Sequence, residues 1–329
     1  MFRFSLRKFV MSKFLPLSAA ILAVVALASA SQAQTYPDRR ITMLVGFAAG
    51  SGADIQARYY AAKLAEETGQ TVIIENKPGA NGMIAAQAVK QAKPDGYTLL
   101  FSPSAGMAGG KFLYANLSYD SQKDFIIAAP LLDVAFTLTV GAGSPAKNVA
   151  ELTALLKTKP NTRYGTSNST GIAATQVYKT LMGFESQQVT YKTTADAIGD
   201  LADGTLDFMF IDGVFALSQQ KAGKLRMLAT TSAKIDGAPE VPTMREAGVG
   251  NYSFAVWWMI MTPAGAPQEV VTNLNAVFTK IADMPETKTF LNNTASIPLK
   301  GTPAEMVVKL EKDIQTWAEI AKAGNIVPQ

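Results

Sequence analysis

Ile41-Thr42-Met43-Leu44-Val45-Gly46-Phe47-Ala48-Ala49-Gly50-Ser51-Gly52-Ala53-Asp54-Ile55-Gln56-Ala57-Arg58 reads as a strand, a glycine-rich loop and a helix. Ile41 to Val45 is an apolar run of strand length, and helical periodicity restarts at Asp54. Glycines let the backbone turn tightly and bring several N–H groups to one point. The helix start adds unsatisfied donors and the positive end of its dipole. Together these attract anions. Asp54 is placed as the N-cap, its carboxylate accepting from the N–H groups of the first turn, a role that outweighs ligand contact at that position.

Outward from this loop, the N-terminal end has the form of a secretory signal peptide. Arg3, Arg7, Lys8 and Lys13 precede the apolar run from Leu15 to Leu27, which small residues follow through Ala33. Cleavage is expected after Ala33, with Ala30 as second choice. Removing residues 1–33 takes away four of the 30 basic residues and none of the 26 acidic ones. The mature chain is then formally neutral, which gives no support to nucleic acid or an anionic membrane as partner. The 329 residues include neither cysteine nor histidine. Disulfides, thiol nucleophiles, Cys/His zinc sites and Ser-His-Asp triads are thereby excluded, and no side chain has an ordinary pKa near neutrality. A cysteine-linked lipid anchor is excluded as well.

Strand-like and helical segments alternate, giving α/β order with parallel-sheet character. A first unit runs from Ile41-Val45 through helices at Asp54-Glu67 and Gly82-Ala92, with strands Thr71-Glu75 and Thr98-Phe101 and a short element near Lys111-Tyr114. A second unit begins with strand Phe136-Val140 and helix Val149-Thr158, and ends with strand Leu225-Thr230. The apolar strand Phe254-Met261 then leads into Pro-punctuated helices, the last over Pro303-Ala323. Strands Phe136-Val140 and Phe254-Met261 are the natural crossovers. Residues 34–137 with 254–329 form one domain, residues 138–253 the other, and a cleft lies between them where strand ends present loops.

Tyr164-Gly165-Thr166-Ser167-Asn168-Ser169-Thr170-Gly171 repeats the logic of the first loop between a strand and a helix, with Ser169 or Thr170 as N-cap. Two such loops, one per domain, make a paired anion clamp. A P-loop reading fails because the first loop lacks Lys-Ser/Thr, and its glycines do not follow G-x-G-x-x-G. No G-x-S-x-G occurs, and the S-x-x-K matches at Ser144 and Ser218 lack their partner motifs. Of Trp257 and Trp258, one should be buried and the other face the cleft. Phe47 and Tyr191 are candidate apolar walls. Asp212, at the end of a strand, either accepts from a ligand or caps the helix that begins near Gly213. Acidic residues show no metal-ligand spacing.

Tyr36-Pro37-Asp38-Arg39-Arg40-Ile41, the glycine-rich loop ending at Asp54, Glu75-Asn76-Lys77-Pro78-Gly79-Ala80-Asn81-Gly82 and Pro94-Asp95-Gly96-Tyr97-Thr98-Leu99-Leu100 carry a family resemblance. The chain resembles the Bug-type receptors, the extracytoplasmic solute-binding proteins of tripartite tricarboxylate transporters. That resemblance implies a two-lobed α/β periplasmic-binding-protein fold, type II-like, closing on a small organic acid in the cleft between lobes. Carried over by position, the contacts are Phe47, Ala49, Gly50, Ser51 and Asp54 in the first loop and Thr166, Ser167, Ser169, Thr170 and Gly171 in the second. Two departures stand out: Gly46 and Ala49-Gly50-Ser51-Gly52 where members usually show proline and a Gly-Gly pair, and a second loop without the usual histidine.

The expected function is capture of a carboxylate, dicarboxylate or aromatic carboxylate and its delivery to a membrane permease. No catalysis, cofactor or metal is expected, and a periplasmic monomer is the expected form. The alternatives are a receptor feeding a sensor kinase and an exported His-free hydrolase or lyase. Expression with export should yield a mature chain that begins at Gln34; N-terminal sequencing of the secreted protein checks this, and an intact Met1 would overturn it.

Overall fold

The computed structural model describes residues 1, 36–232, 234–235, 237–250, 252, 254, 256–294, 296–323, 326 and 328. The expected signal peptide and its cleavage sites lie outside the described residues, apart from Met1. No helix among the described residues is long and apolar enough to cross a membrane.

Two sheets organise the chain. The first has strand order β11-β4-β10-β3-β1-β2, with β1 Ile41–Val45, β2 Val72–Asn76, β3 Thr98–Pro103, β4 Phe125–Val134, β10 Val256–Pro263 and β11 Ser296–Pro298. The second has order β7-β6-β8-β5-β9, with β5 Phe136–Gly141, β6 Arg163–Thr166, β7 Gln187–Thr190, β8 Phe208–Asp212 and β9 Leu225–Thr230. The chain passes from the first sheet to the second at Ala135, between β4 and β5, and returns between β9 and β10. Helices α1 Gly52–Thr68, α2 Met83–Lys90 and α3 Ser104–Leu113 belong to the first pass, and α4 Val149–Thr158, α5 Ser169–Met182, α6 Ile198–Ala202 and α7 Gly213–Lys221 to the second. After β10 come α8 Gln268–Asp283, α9 Pro285–Asn293 and α10 Pro303–Ala323, the last packed on both α3 and β4.

Three differences from the sequence expectations have physical causes. Between the named strands, parallel pairing is limited to β1 with β2 and β3 and to β6 with β7 and β8; β10 runs antiparallel to β3 and β4, and β5 antiparallel to β8 and β9. Strand β4 is absent from the sequence reading because Pro130 sits in its middle, and proline lacks the N–H that a central strand needs. The register against β10 jumps from Leu132↔Trp258 to Pro130↔Met259, so the proline falls at a bulge. The skipped Leu131 offers its carbonyl instead to the Tyr60 hydroxyl at 3.0 Å and the Leu299 amide at 3.1 Å. Helix α3, expected as a short element near Lys111-Tyr114, is longer because its glycines serve packing: a Cβ on Gly109 would lie 2.7 Å from the Trp317 ring of α10.

Trp257 and Trp258 are both buried, at 0% and 7% exposure, where one was expected to be buried and the other to face the cleft. The two sides of β10 are both covered. On one, the Trp257 indole N–H donates to Asp313 Oδ2 at 2.7 Å and Lys309 lies over its ring; on the other, Trp258 stacks on Phe101 at 4.7 Å. Asp133 is the register partner of Trp257 on β4, and its Oδ1 is buried with no hydrogen-bond partner among the described residues. Burial pushes Asp133 up to about 6 against the attraction of Lys309, with a smaller upward push from the Asp313 carboxylate. Burial raises Asp313 too.

The folded chain therefore holds the Asp133 proton more tightly than the unfolded one. Its contribution to stability is fully present below the ordinary value of 3.8 and is lost as pH rises through about 6. Asp133→Asn should raise Tm by about 2–4 °C at pH 8 and leave it unchanged at pH 4, which calorimetric melts at the two pH values will check.

Candidate ligand-binding cleft

Helix α1 starts one turn earlier than expected, and its N-cap is Ser51 rather than Asp54. Ser51 has extended backbone angles and its Oγ accepts from the Asp54 N–H at 3.3 Å. Asp54 lies inside the first turn and reaches back, an arrangement close to a capping box. Its Oδ2 accepts from the Gly50 N–H and from Arg58 Nε, both at 2.9 Å, and its Oδ1 accepts from Asn76 Nδ2 at 2.9 Å. Burial works to raise the Asp54 pKa, but the hydrogen bonds from Arg58, Gly50 and Asn76 together hold it below the usual carboxylate range. Both oxygens are thus occupied in shaping the loop. Asn76 also donates to the Phe47 carbonyl at 3.0 Å, tying the end of β2 to the same turn.

The loop leaves Ala49 and Gly50 exposed, with Phe47 and Ser51 half-buried. Gly50 has φ +79°, in the left-handed region, and a Cβ on Gly46 would sit 2.3 Å from the Gly82 Cα. The Phe47 ring stands 5.6 Å from that of Trp258.

In the second loop the N-cap is Asn168, not Ser169 or Thr170: its Oδ1 accepts from the Gly171 N–H at 2.9 Å. The amide oxygen reaches the third N–H without the hydroxyls, which leaves Ser169 and Thr170 inside the first turn, buried. Thr166 Oγ1 donates to the Asn168 carbonyl at 2.9 Å, and Ser167 shares a 2.8 Å hydrogen bond with Thr194. Gly171 is buried against Thr166, whose Oγ1 would be 3.0 Å from an added Cβ. Tyr191 adjoins this loop through its N–H, which donates to the Thr166 carbonyl at 2.8 Å. Its hydroxyl donates to Asp200 Oδ2 at 2.5 Å, and its side chain packs on the core of the second sheet.

Asp212 takes the capping alternative. Its Oδ1 accepts from the Phe215 N–H at 3.0 Å at the start of α7, and burial pushes its pKa up. The same oxygen would lie 2.7 Å from a Cβ on Gly52, so the end of β8 in the second sheet meets the N-terminus of α1 beside the first. Its carboxylate is placed at the positive end of that helix.

A cavity of about 340 Å³ opens beside the second loop. Thr166 and Ser167 line it; Phe47, Ala49, Gly50, Ser51, Asp54, Ser169, Thr170, Gly171, Tyr191 and Asp212 do not. Its other walls include Asn81 and Tyr114 from the first pass of the chain, and Tyr164, Gln176, Lys179 and Gln188 from the second. These six were missed. The signal for Asn81 was its setting: Gly79, Ala80, Asn81 and Gly82 have consecutive positive φ values of 135°, 45°, 52° and 92°. Strain of that kind gathers at functional sites. Asn81 Nδ2 donates to the Tyr114 hydroxyl, which holds both on the cavity wall.

The model of the tripartite tricarboxylate transporter family receptor matches residues 56–326. The chain belongs to that family. Its members are receptors that bind and release rather than transform. A Rhodopseudomonas palustris protein solved with adipate is 32% identical, with a TM-score of 0.84 over 89% of this chain and 100% of that one. The periplasmic binding protein BugD is 27% identical, with a TM-score of 0.81 over 89% and 100% of the two chains. MatC from Rhodopseudomonas palustris with bound malate is 26% identical, with a TM-score of 0.78 over 87% and 99%. The receptor has the two-lobed α/β fold of periplasmic binding proteins.

Because Asp54 is 4% exposed while Arg58 is 53% exposed, the two sides of this ion pair are unequal. Asp54→Ala leaves the Gly50 and Asn76 donors unpaired and should cost about 1–3 kcal/mol, whereas Arg58→Ala should cost under about 1 kcal/mol. Urea unfolding at pH 7 checks the ranking. The Asp54 contribution is present above the ordinary value of 3.8 and is lost as pH falls through the depressed folded value, so the gap to Asp54→Ala should shrink below pH 3.8.

Proposed function

We propose that this receptor is exported to the periplasm, captures a small organic acid between its two lobes and delivers it to the membrane permease of a tripartite transporter. The observation that carries the reading is the polar loop Thr166-Ser167-Asn168, which begins α5 and opens into a cavity with no acidic side chain among its described lining residues. Helix N-terminal donors next to such a cavity favour a carboxylate. Support comes from family membership and from similar proteins solved with adipate and malate.

The lobes are residues 34–137 with 254–329, and residues 138–253. Thr166 and Ser167 contribute from the cavity wall; Phe47, Ala49, Gly50 and Ser51 on one side and Ser169, Thr170 and Gly171 on the other lie outside its lining and join them when the lobes close. Asp54, Tyr191 and Asp212 act by positioning these loops, since their polar atoms are engaged within the protein. Donors on both lobes meet one anion only when the lobes approach, so the ligand shifts the population toward a closed form. The permease reads that form, and the receptor works as a monomer.

A thermal-shift panel of mono-, di- and tricarboxylates, amides and sugars tests the proposal. A ligand at about 100 times its Kd adds roughly 2.7 kcal/mol. A Tm rise confined to carboxylates, with the acid recovered unchanged, is expected. Stabilisation by neutral compounds alone would overturn the anion reading.

A further inference from the structure

Next to the cleft cavity runs a larger groove of about 1100 Å³, whose described lining residues all fall between Leu156 and Gln187. The ends of α4 and α5 and the start of β7 form its walls. Leu156 and Phe184 are buried at its floor, while Lys157, Lys159, Thr180 and Gln187 are exposed around it. Its charges are three lysines, Lys157, Lys159 and Lys179, against one carboxylate, Glu185. Lysines favour helix C-termini on their own account, which explains their place in α4 and α5 but not their convergence on one groove. Lys157 has no ion pair among the described residues, and Lys159 pairs at 2.7 Å with Asp207, which is outside the lining. Lys179 pairs with Glu185 at 3.0 Å, but Glu185 is 94% exposed and Lys179 only 12%. A carboxylate so open to water holds its partner weakly.

The groove also borders a free sheet edge. Strand β7 is the last strand of the second sheet and pairs with β6 alone. The Gln187 and Tyr191 N–H groups donate to the Thr162 and Thr166 carbonyls, both at 2.8 Å, so by alternation those of Gln188 and Thr190 point away from the sheet. An extended segment of chain in the groove meets main-chain donors at this edge and ammonium groups at the walls. A small acid would stay hydrated in so open a groove, whereas a chain segment spans it. The geometry points to the groove as the docking site for an acidic, extended segment of the membrane permease, one carboxylate replacing Glu185 at Lys179 and another meeting Lys157. This rests on the receptor reading and adds the surface by which the permease holds the receptor. Because residues 156–187 alone build the groove, docking does not depend on lobe closure. Gln176, Lys179 and Ser186 line both groove and cleft cavity, which sets the docked segment beside the captured acid.

Photocrosslinking in cells that carry the receptor with its permease tests the inference. The photoreactive residue p-benzoylphenylalanine is placed at Thr180 or Gln187 in the groove, and at Ile84, an exposed side chain of α2, for comparison. Adducts with the permease are expected from Thr180 and Gln187 and identified by mass spectrometry. Lys157→Glu should lower their yield roughly 3- to 10-fold, as expected when an exposed attraction becomes a repulsion, and Lys157→Arg should preserve it. Glu185→Gln, which removes the competing carboxylate, should raise the yield. In isolated membranes the yield should fall between about 0.1 M and 1 M NaCl, as the screening length drops from about 10 to 3 Å. Circular dichroism melts confirm that the variants fold. Permease adducts from Ile84 with none from the groove, groove adducts only with a second copy of the receptor, or a yield indifferent to Lys157→Glu would overturn the inference and leave the receptor reading standing. Absence of a permease adduct from every position in a scan over both lobes would overturn both.

Discussion

Strand β10 is the constraint on which the rest of the molecule depends. It fills the place between β3 and β4 in the first sheet, yet it arrives only after the chain has built the whole second sheet. Until it arrives, β3 and β4 each lack a hydrogen-bonding neighbour in the middle of a buried sheet, a position where unpaired backbone groups are costly. The first lobe is therefore completed by residues that follow the second, and the two crossings, at Ala135 and before Val256, are fastened to the same sheet. Trp257 and Trp258 sit at that return point. Their burial on opposite sides of β10 anchors the crossing to α10 through Asp313 and to the first loop through Phe101 and Phe47.

This arrangement brings helix N-termini from the two lobes to one region. The first loop is held from within by a carboxylate, Asp54, whose oxygens gather Gly50, Arg58 and Asn76. The second is held by an amide, Asn168, and by a threonine that bonds its own loop. Both devices use up the side chains that cap the helices. Asp212 adds a third element, since it caps α7 and reaches the start of α1. Burial raises the Asp212 carboxyl, while the chain holds no histidine or cysteine.

Much of the fold was legible because it rests on local pattern. The apolar runs at Ile41–Val45 and Leu225–Thr230 have strand length and turn residues at their ends, and α4 and α10 start and stop where their periodicity does. Pattern failed where a tertiary contact reversed a local rule. Pro130 speaks against a strand until the bulge opposite Met259 accommodates it, and the glycines of α3 speak against a helix until Trp317 needs the space. The caps lie a few residues from where the sequence places them, since Ser51 and Asp54, or Asn168 and Ser169, offer equally good acceptor oxygens to a helix end and only the backbone angles choose between them.

The sequence by itself determined the α/β class, the two glycine-polar loops at strand-to-helix junctions and the exclusion of histidine and cysteine chemistry. These follow from residue type and periodicity, which act over a few turns of chain. The tertiary structure alone decided the mixed strand order, the burial of both tryptophans and the meeting of Asp212 with α1. It also decided which side chains share a cavity with the second loop. Asn81, Tyr114 and Lys179 are separated in sequence and carry no joint motif; they share one cavity because α3 and α5 pack against each other and Asn81 donates to the Tyr114 hydroxyl. Proximity of that kind comes from packing between elements, and no local rule encodes it.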